Sequence, residues 1–264
     1  MSRDAESPDE VSPVLLRIDG HVARVALNRP GQRNALSLEV LGALENALAE
    51  AGRHPAVRAL VIEGRGPAFS AGHDLREMRS APPAVIEELF RRCERVMESI
   101  HRLPQPVVAR VHGIATAAGC QIVAACDLAV ASAEASFATP GIKVGLFCST
   151  PAVPLVRAIG RKRALEMLLS GAPIDAATAL DWGLVNRVSP PDAIDRVIGE
   201  LLAPILEASA EVVASGKETF YRQVDLPEAD AYRAASRTMC SGVAGEAARE
   251  GFSAFIEKRK PRWP

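Results

Sequence analysis

The chain has 264 residues, which is enough for one large domain with a full core, alone or with a smaller appendage. Apolar residues make up 48% of it and charged residues 24%, which is typical of a globular protein, and a net charge of -1 without a basic block argues against nucleic acid as a partner. No apolar run is as long as a membrane span, and the first six residues lack a signal-peptide core, so we expect no membrane association.

The five cysteines form an odd set without a Cys-x-x-Cys pair, namely Cys93, Cys120, Cys126, Cys148 and Cys240. This pattern is typical of reduced and mostly buried thiols in a reducing compartment, because a disulfide framework uses paired cysteines. We therefore predict a cytoplasmic protein, and no residue pattern indicates a metal site.

The first part of the chain predicts a disordered lead-in, a β-hairpin and an amphipathic helix. Residues 1–12 are polar and acidic and form the lead-in. Residues 14–18 and 22–27 predict two strands that Asp19-Gly20 joins by a tight turn. Ser37 can cap the helix that follows, in which leucines recur at helical spacing at positions 38, 41, 44 and 48.

The middle of the chain alternates strands with helices, and two of the strands lead into glycine-rich loops. The apolar run 57–62 predicts a strand that is buried on both faces, followed by the loop 63–74. The helix after it has an apolar stripe formed by Val85, Leu89, Cys93, Val96, Met97 and Ile100. The strand 106–111 leads through small residues into an apolar helix, and residues 128–132 and 136–137 predict further strands.

From Ser149 onward the pattern predicts helices only. Residues 161–170 form a helix that ends at Gly171, and Asp175 can cap the next one. Three or four amphipathic helices follow between residues 192 and 258, with Phe252, Phe255 and Ile256 on one face of the last. The whole predicts an α/β core over residues 13–190 and a helical region over residues 191–264, which is apolar enough to pack on the core or on another subunit.

The two glycine-rich loops are Phe69-Ser-Ala-Gly-His-Asp74 and Gly113-Ile-Ala-Thr-Ala-Ala-Gly119. Each lies between a buried strand and a helix, where small residues allow close backbone approach and free N–H groups point outward. Together they can present one N–H group each to the same oxygen, as an oxyanion hole requires, although each can equally be an ordinary turn. Neither contains Gly-x-Gly-x-x-Gly or a phosphate-loop pattern, which argues against nucleotide hydrolysis.

Other motifs occur in order along the chain: Asn28-Arg-Pro-Gly-Gln-Arg-Asn-Ala-Leu-Ser37, the stretch 112–127, Phe137-Ala-Thr-Pro-Gly141, Leu169-Ser-Gly171, residues 179–188 with Gly183-Leu-Val185, and Phe255-Ile-Glu-Lys-Arg-Lys260. With the two loops, they resemble the enoyl-CoA hydratase/isomerase (crotonase) superfamily over nearly the whole chain. Residues 137–151 are similar to its branch of enoyl-CoA hydratase domain-containing proteins.

The resemblance implies a spiral of ββα units with a C-terminal helical trimerisation region, assembled as a trimer or a dimer of trimers. It implies that the backbone N–H groups of His73 and Ala118 bind the thioester oxygen of an acyl-CoA. Coenzyme A is then a substrate or ligand, and no cofactor is permanently bound. The residues that the resemblance assigns to binding coenzyme A or closing the site, from this subunit or a neighbour, are Arg33, Ala35, Ala71, Gly72, Phe255 and Lys258.

The sequence departs from this family at both glutamates that its hydratases use. Gln121 stands at the first position and Gly141 at the second. An amide can orient a water molecule but does not transfer a proton at neutral pH, and glycine has no side chain. We therefore predict an acyl-CoA-binding protein of fatty-acid metabolism that stabilises a thioester enolate but hydrates enoyl-CoA weakly.

Four other residues near the loops are candidates to replace the missing groups. Cys148 precedes a predicted helix, where a thiol can have a lowered pKa, but a small buried residue is the simpler interpretation. Asp74 can act as a base or cap a helix, the His73 imidazole can face solvent, and Glu77 is expected to be solvated. The alternatives are thus an isomerase, thioester hydrolase or decarboxylase of the same family, or a non-catalytic acyl-CoA binder.

Overall fold

The computed structural model describes residues 12–264, so the predicted lead-in lies outside the described residues except for Ser12. The strands within this range are β1 Val14–Asp19, β2 Val22–Leu27, β3 Ala59–Gly64, β4 Ala68–Ser70, β5 Val107–Val111, β6 Ile114–Thr116, β7 Leu128–Ser132, β8 Ser136–Ala138, β9 Ile174–Asp175 and β10 Arg187–Ser189. The helices are α1 Leu38–Arg53, α2 Leu75–Ser80, α3 Pro83–Arg102, α4 Ala118–Ala125, α5 Ser149–Ser170, α6 Ala176–Trp182, α7 Ile194–Glu207, α8 Ala210–Gln223, α9 Glu228–Ala244 and α10 Glu246–Ile256. Short 3₁₀ turns cover Pro30–Gln32, Pro140–Val144 and Pro191–Ala193.

The larger sheet has six strands in the order β1-β2-β3-β5-β7-β10. β1 and β2 pair antiparallel, as the predicted hairpin requires, and Gly20 adopts a φ of +57° in the turn between them. The other neighbours pair in parallel. The central strands are nearly continuous apolar runs because helices cover both faces of the sheet.

The smaller sheet has the order β4-β6-β8-β9, and its first three strands run parallel. Three successive segments each add one strand to the larger sheet, the next strand to the smaller sheet, and then a helical part: β3-β4-α2-α3, β5-β6-α4 and β7-β8-α5. This repeat is the predicted spiral of ββα units. Because β4 and β6 are neighbours, the ends of the two glycine-rich loops lie side by side.

The main core lies between the sheets and the helices α1, α3, α4 and α5, and a second core fills the opposite face of the larger sheet under α7. The leucine positions that predicted α1 and the stripe that predicted α3 are largely buried. Both predicted caps are present. The Ser37 hydroxyl accepts the Val40 N–H at 3.2 Å, and the Asp175 carboxylate accepts the Thr178 N–H at 2.8 Å.

The prediction that only helices follow Ser149 was wrong. β9 pairs antiparallel with β8, and β10 extends the larger sheet beside β7. These strands have two and three residues, which is too short for a visible alternation. The predicted helix 161–170 is the second half of α5, which turns at Gly160 with a φ of +76° and ends, as predicted, at Gly171.

A charged cluster attaches the C-terminal helices to the core. The Lys217 ammonium on α8 donates to the backbone carbonyls of Ile100 and Gln105 and to the Asp127 carboxylate. The Tyr221 hydroxyl donates to the other oxygen of Asp127 at 2.7 Å. These bonds compensate for the loss of water around a lysine that is almost fully enclosed.

The last helix, α10, leaves its apolar face in solvent in a single chain. Phe252, Phe255 and Ile256 are exposed, Phe255 to 85%. Such a surface is typical of a contact with another molecule. Within residues 12–264, none of the helices is both long enough and apolar enough to cross a lipid bilayer.

Candidate functional site

The first glycine-rich loop leaves the backbone N–H of His73 without a protein acceptor. Leu36 forms a parallel bridge with this residue: its N–H donates to the Gly72 carbonyl at 2.8 Å and its carbonyl accepts the Asp74 N–H at 3.2 Å. In such a bridge the bonds go to the flanking residues, so the His73 N–H points away from Leu36. None of the described residues accepts it, and a ligand can.

Two buried polar residues that the sequence patterns did not identify hold this loop. Asn34, which is 1% exposed and has a φ of +54°, accepts the Arg29 N–H at 2.9 Å and donates to the Ala68 carbonyl at 2.8 Å. The Ser70 hydroxyl donates to the Asn34 carbonyl at 2.8 Å and accepts the Gly72 N–H at 3.2 Å. Asparagine tolerates positive φ better than most residues. Its position shortly after Pro30-Gly31 was therefore the one sequence signal that Asn34 has a structural role.

The second loop presents the N–H of Ala118 at the start of α4. Ala118 is the first helical residue, and the first N–H groups of a helix have no partner within it. Ala117 adopts a φ of +49°, which is uncommon for a residue with a side chain, while its N–H donates to the Ala138 carbonyl at 2.9 Å. This turn reverses the chain between β6 and α4, and in the described part of the chain the Ala118 N–H has no protein acceptor.

Gly72 brings the two loops into contact. It has a φ of +84°, and a Cβ atom there would lie 2.8 Å from the Ala117 Cβ, 2.9 Å from the Thr116 carbonyl oxygen and 3.2 Å from the Ala118 nitrogen. Any side chain at this position would therefore clash with the second loop beside its free N–H group. The glycine allows both donors to face one space, as the two-loop pattern predicts.

An apolar cavity of about 400 Å³ lies at this contact. Five of the predicted site residues line it, namely Ala71, His73, Ala118, Gly141 and Cys148. Its other walls are mainly apolar, and no Asp or Glu is among its lining residues; they are Leu75, Met78, Phe90, Ala117, Pro140, Lys143, Val144, Leu146, Phe147, Ser149, Thr150 and Pro151. Lys143 is the cation that lines this cavity, and no sequence pattern indicated it.

Gln121 lies one turn further along α4 and lines a neighbouring cavity of about 700 Å³. Its side chain is 4% exposed, and its Oε1 lies 3.9 Å from the Cys93 thiol, which donates to it. Phe90 and Thr150 line both cavities, so the two adjoin at these residues. Gln121 is therefore close to the two loops, but on the side of the second cavity.

Gly141 has no space for a side chain. A Cβ atom there would lie 2.1 Å from the Leu146 carbonyl oxygen and 2.7 Å from the Cys148 sulfur. The loop 142–147 folds back so that the Leu146 N–H donates to the Gly141 carbonyl at 2.9 Å. The position thus lacks a carboxylate and is also closed by backbone that a carboxylate would have to displace.

Cys148 is buried at the start of α5, and of its two interpretations the lowered pKa does not hold. Burial raises the pKa of the thiol, while a hydrogen bond to the Gly141 backbone opposes this shift. The thiol therefore stays protonated at neutral pH and is a poor base or nucleophile. This agrees with the simpler interpretation, that of a small buried residue in the cavity wall.

Asp74 and Glu77 are both occupied by backbone N–H groups. The Asp74 carboxylate caps α2 by accepting the N–H groups of Arg76 at 2.9 Å and Glu77 at 3.3 Å, as the capping interpretation predicts. The expectation that Glu77 is solvated was wrong, because its carboxylate accepts the Leu38 N–H at 3.1 Å at the start of α1. Neither residue lines the cavity.

The His73 imidazole is largely enclosed rather than facing solvent. Its Nδ1 donates to the Leu36 carbonyl at 3.4 Å, and its ring meets Phe90 edge-on at a centroid distance of 5.3 Å. Burial lowers the pKa of this histidine, so the ring is neutral at pH 7. Its Nε2 is buried and has no hydrogen-bond partner among the described residues.

The remaining residues assigned to coenzyme A lie outside the cavity. The Arg33 carbonyl accepts the Ala71 N–H at 2.9 Å, and its exposed guanidinium has no protein partner within the described range. Ala35 is buried between Asn34 and Leu36. Phe255 and Lys258 lie at the end of α10 and do not line the cavity of their own chain.

A profile of the enoyl-CoA hydratase/isomerase family matches residues 17–264. The chain belongs to this family. The rat enoyl-CoA hydratase domain-containing protein 3, a mitochondrial protein by its name, is 45% identical over 263 residues, which cover 99% of the chain and 88% of the relative. The predicted superfamily and branch are thus confirmed.

Solved structures of the family have the same fold. An enoyl-CoA hydratase from Mycobacterium smegmatis is 50% identical and superposes with a TM-score of 0.92, covering 95% of this chain and 98% of that one. The human enoyl-CoA hydratase domain-containing protein 3 is 42% identical and also superposes with a TM-score of 0.92. The match covers 95% of this chain and 100% of the human one. The α/β crotonase fold is therefore established for this chain.

Proposed function

We propose that this family member binds acyl-CoA thioesters and stabilises the negative charge of a thioester enolate. The observation that supports this most strongly is the pair of unpartnered N–H groups at His73 and Ala118, on either side of Gly72 and beside an apolar cavity. Two donors fixed by the backbone can hold a thioester oxygen more tightly as charge develops on it. The apolar walls accommodate the acyl group.

Ordinary hydration of enoyl-CoA is weak in this proposal. Adding water requires one group to take a proton from water and another to protonate carbon, and the cavity has no carboxylate for either step. The pKa of Cys148 is raised and Asp74 caps a helix, so neither provides a ready substitute. Gln121 can orient a water molecule but cannot accept its proton.

A crotonyl-CoA hydration assay tests this directly. We expect turnover below that of a hydratase with both glutamates by on the order of 10²-fold or more, since each missing acid–base group costs about 10² to 10⁴ in rate. Gln121→Glu alone should leave it far below that level, because Gly141 still provides no second group. Hydration as fast as in such a hydratase, unchanged in Gln121→Ala, would contradict the proposal.

A second candidate is a non-catalytic acyl-CoA binder. The raised pKa of Cys148 and the helix-capping role of Asp74 favour it, because neither residue is then free to act as an acid or base. It predicts calorimetric binding of acyl-CoA and recovery of intact thioester after long incubation. Conversion within a panel of thioesters would instead indicate another crotonase reaction, such as isomerisation, thioester hydrolysis or decarboxylation. In that case Asp74→Asn and Cys148→Ala show whether either residue contributes.

The proposed assembly is a homotrimer or a dimer of trimers. The exposed apolar face of α10 supports it, and so does the distance of Phe255 and Lys258 from their own cavity, which leaves them available to a neighbouring subunit. Sedimentation at several concentrations tests it, with Phe255→Ser expected to favour smaller species. The cytoplasmic location stays a prediction, and the rat relative's name makes mitochondria its alternative.

A further inference from the structure

The two cavities adjoin along one face of α4, where together they offer an acyl group one channel. Ala118 lies in the first cavity, and Gln121 and Ala125 lie in the second. Residues three and seven positions apart on a helix share a face, so the channel follows the helix axis past Phe90 and Thr150. An acyl group whose thioester oxygen lies on the Ala118 N–H can therefore extend along α4 towards Gln121.

The distance along the helix matches the start of an acyl chain. Gln121 is three residues after Ala118, which is about 4.5 Å along the axis at 1.5 Å per residue. Side chains on a helix also lean towards its N-terminus, so the amide of Gln121 leans back towards the thioester site. The acyl carbon two bonds beyond the thioester carbon, C3, is the one that comes within its reach.

The Cys93 thiol fixes which end of the Gln121 amide faces the channel. Cys93 is buried on α3 and its sulfur lies 3.9 Å from the amide oxygen Oε1. Burial raises the pKa of this thiol to about 12, so it keeps its proton and remains a donor. With Oε1 held by Cys93, the amide nitrogen Nε2 is turned away from it, where it has no acceptor among the described residues and is not enclosed by protein.

We propose that the Cys93–Gln121 pair selects acyl-CoA thioesters with a carbonyl oxygen at acyl C3, because Nε2 of Gln121 donates a hydrogen bond to that oxygen. This inference rests on the proposed binding of acyl-CoA and specifies its substrate class. An acyl group without oxygen at C3 does not form this hydrogen bond with the amide, which weakens its binding. Gln121 is thus a specificity residue, and Cys93 acts through it as a positioning residue.

Calorimetric titration with acetoacetyl-CoA and butanoyl-CoA tests the proposal. These thioesters have acyl chains of the same length, and C3 is a carbonyl group in the first and a methylene group in the second. We expect Gln121→Met to weaken acetoacetyl-CoA binding by on the order of tenfold, the contribution of one hydrogen bond, and to change butanoyl-CoA binding less than twofold. Circular dichroism and the retained butanoyl-CoA affinity show that the variant is folded. Equal effects on both esters, or no effect on either, would overturn the role of Gln121.

Cys93 provides an independent pair of variants. Cys93→Ser keeps a donor towards Oε1 and should keep the preference for acetoacetyl-CoA, whereas Cys93→Ala lets the amide rotate and should reduce it about threefold. If the ratio of acetoacetyl-CoA affinity to butanoyl-CoA affinity is the same in both variants and in the wild type, the positioning role of Cys93 is refuted. If the wild type binds neither ester, the proposed acyl-CoA function itself is refuted. If it binds both esters equally well, that function stands and only the selection for a C3 carbonyl is refuted.

Discussion

The two halves of the candidate site differ in what builds them. The donor half is backbone: the N–H groups of His73 and Ala118, fixed by Asn34, Ser70 and a left-handed Ala117. The half that would move protons depends on side chains, and the resemblance to the family's hydratases assigns it to the positions where this chain has Gln121 and Gly141. Backbone geometry survives most substitutions elsewhere in the chain, whereas a single substitution removes an acid or a base. A family member can therefore keep its substrate site and lose its reaction.

The largest effect is expected from a variant that disrupts the donor half alone. Gly72→Ala places a Cβ 3.2 Å from the Ala118 nitrogen, and 2.9 Å from the Thr116 carbonyl oxygen. We expect acyl-CoA affinity to fall tenfold or more, and any thioester chemistry by about 10²-fold, as when one oxyanion donor is lost. Isothermal calorimetry measures the first effect and a thioester assay the second.

Gly20→Ala is the matched control for this variant. Gly20 also has a positive φ, of +57°, but a Cβ there meets nothing within 4 Å, and it lies in the hairpin far from the cavity. It should lose stability through strained backbone, by about 1–2 kcal/mol, and keep full acyl-CoA affinity. If Gly72→Ala binds acyl-CoA as well as Gly20→Ala does, the donors are not where the ligand binds.

The other half of the site can be tested by adding a side chain at Gly141, where the structure leaves no space for one. In Gly141→Ala, the Leu146 carbonyl and the Cys148 sulfur must move away from the added methyl group. We expect the unfolding free energy to fall by about 1–3 kcal/mol, as for an overpacked interior. Gly31→Ala is the control, since it also follows a proline in a 3₁₀ turn but its Cβ meets nothing within 4 Å. Urea denaturation compares the two; equal stabilities would mean that the loop 142–147 yields easily.

A smaller effect concerns the imidazole on the donor half. Burial lowers the pKa of His73 in the folded chain below its ordinary value of 6.5, so below that pH the unfolded chain binds more protons and stability falls. His73→Gln should flatten the dependence of unfolding free energy on pH below 6.5. Burial lowers the pKa of His101 as well, so His101→Gln should flatten it independently and the double variant most. An unchanged slope in His73→Gln would mean that the ring titrates as in water.

Much of the fold could be predicted from residue patterns because its signals are local and long. The helix around Leu41 and Leu44, the stripe from Leu89 to Ile100 and both caps follow from helical periodicity and capping chemistry. β9 and β10 were not predicted, since their two and three residues show no alternation and their place in the sheets comes from pairing with β8 and β7.

The candidate site divides in the same way. The two candidate donor loops were visible as small residues between a strand and a helix, and the family resemblance assigned Gln121 and Gly141 to the glutamate positions of its hydratases. The bracing by Asn34 was not visible, because its partners come from distant parts of the chain. The raised pKa of Cys148 was not visible either, since burial depends on the loop 142–147, which no sequence pattern places.

The closed space at Gly141 also fixes the order in which the chain could acquire a carboxylate at this position. A glutamate at this position meets the Leu146 carbonyl oxygen before it can reach any substrate. The loop 142–147 would have to change first, at a time when that change brings no benefit to hydration. Under the proposed function, a glutamate introduced at position 141 alone would therefore lower the stability of the chain without providing a proton-transfer group.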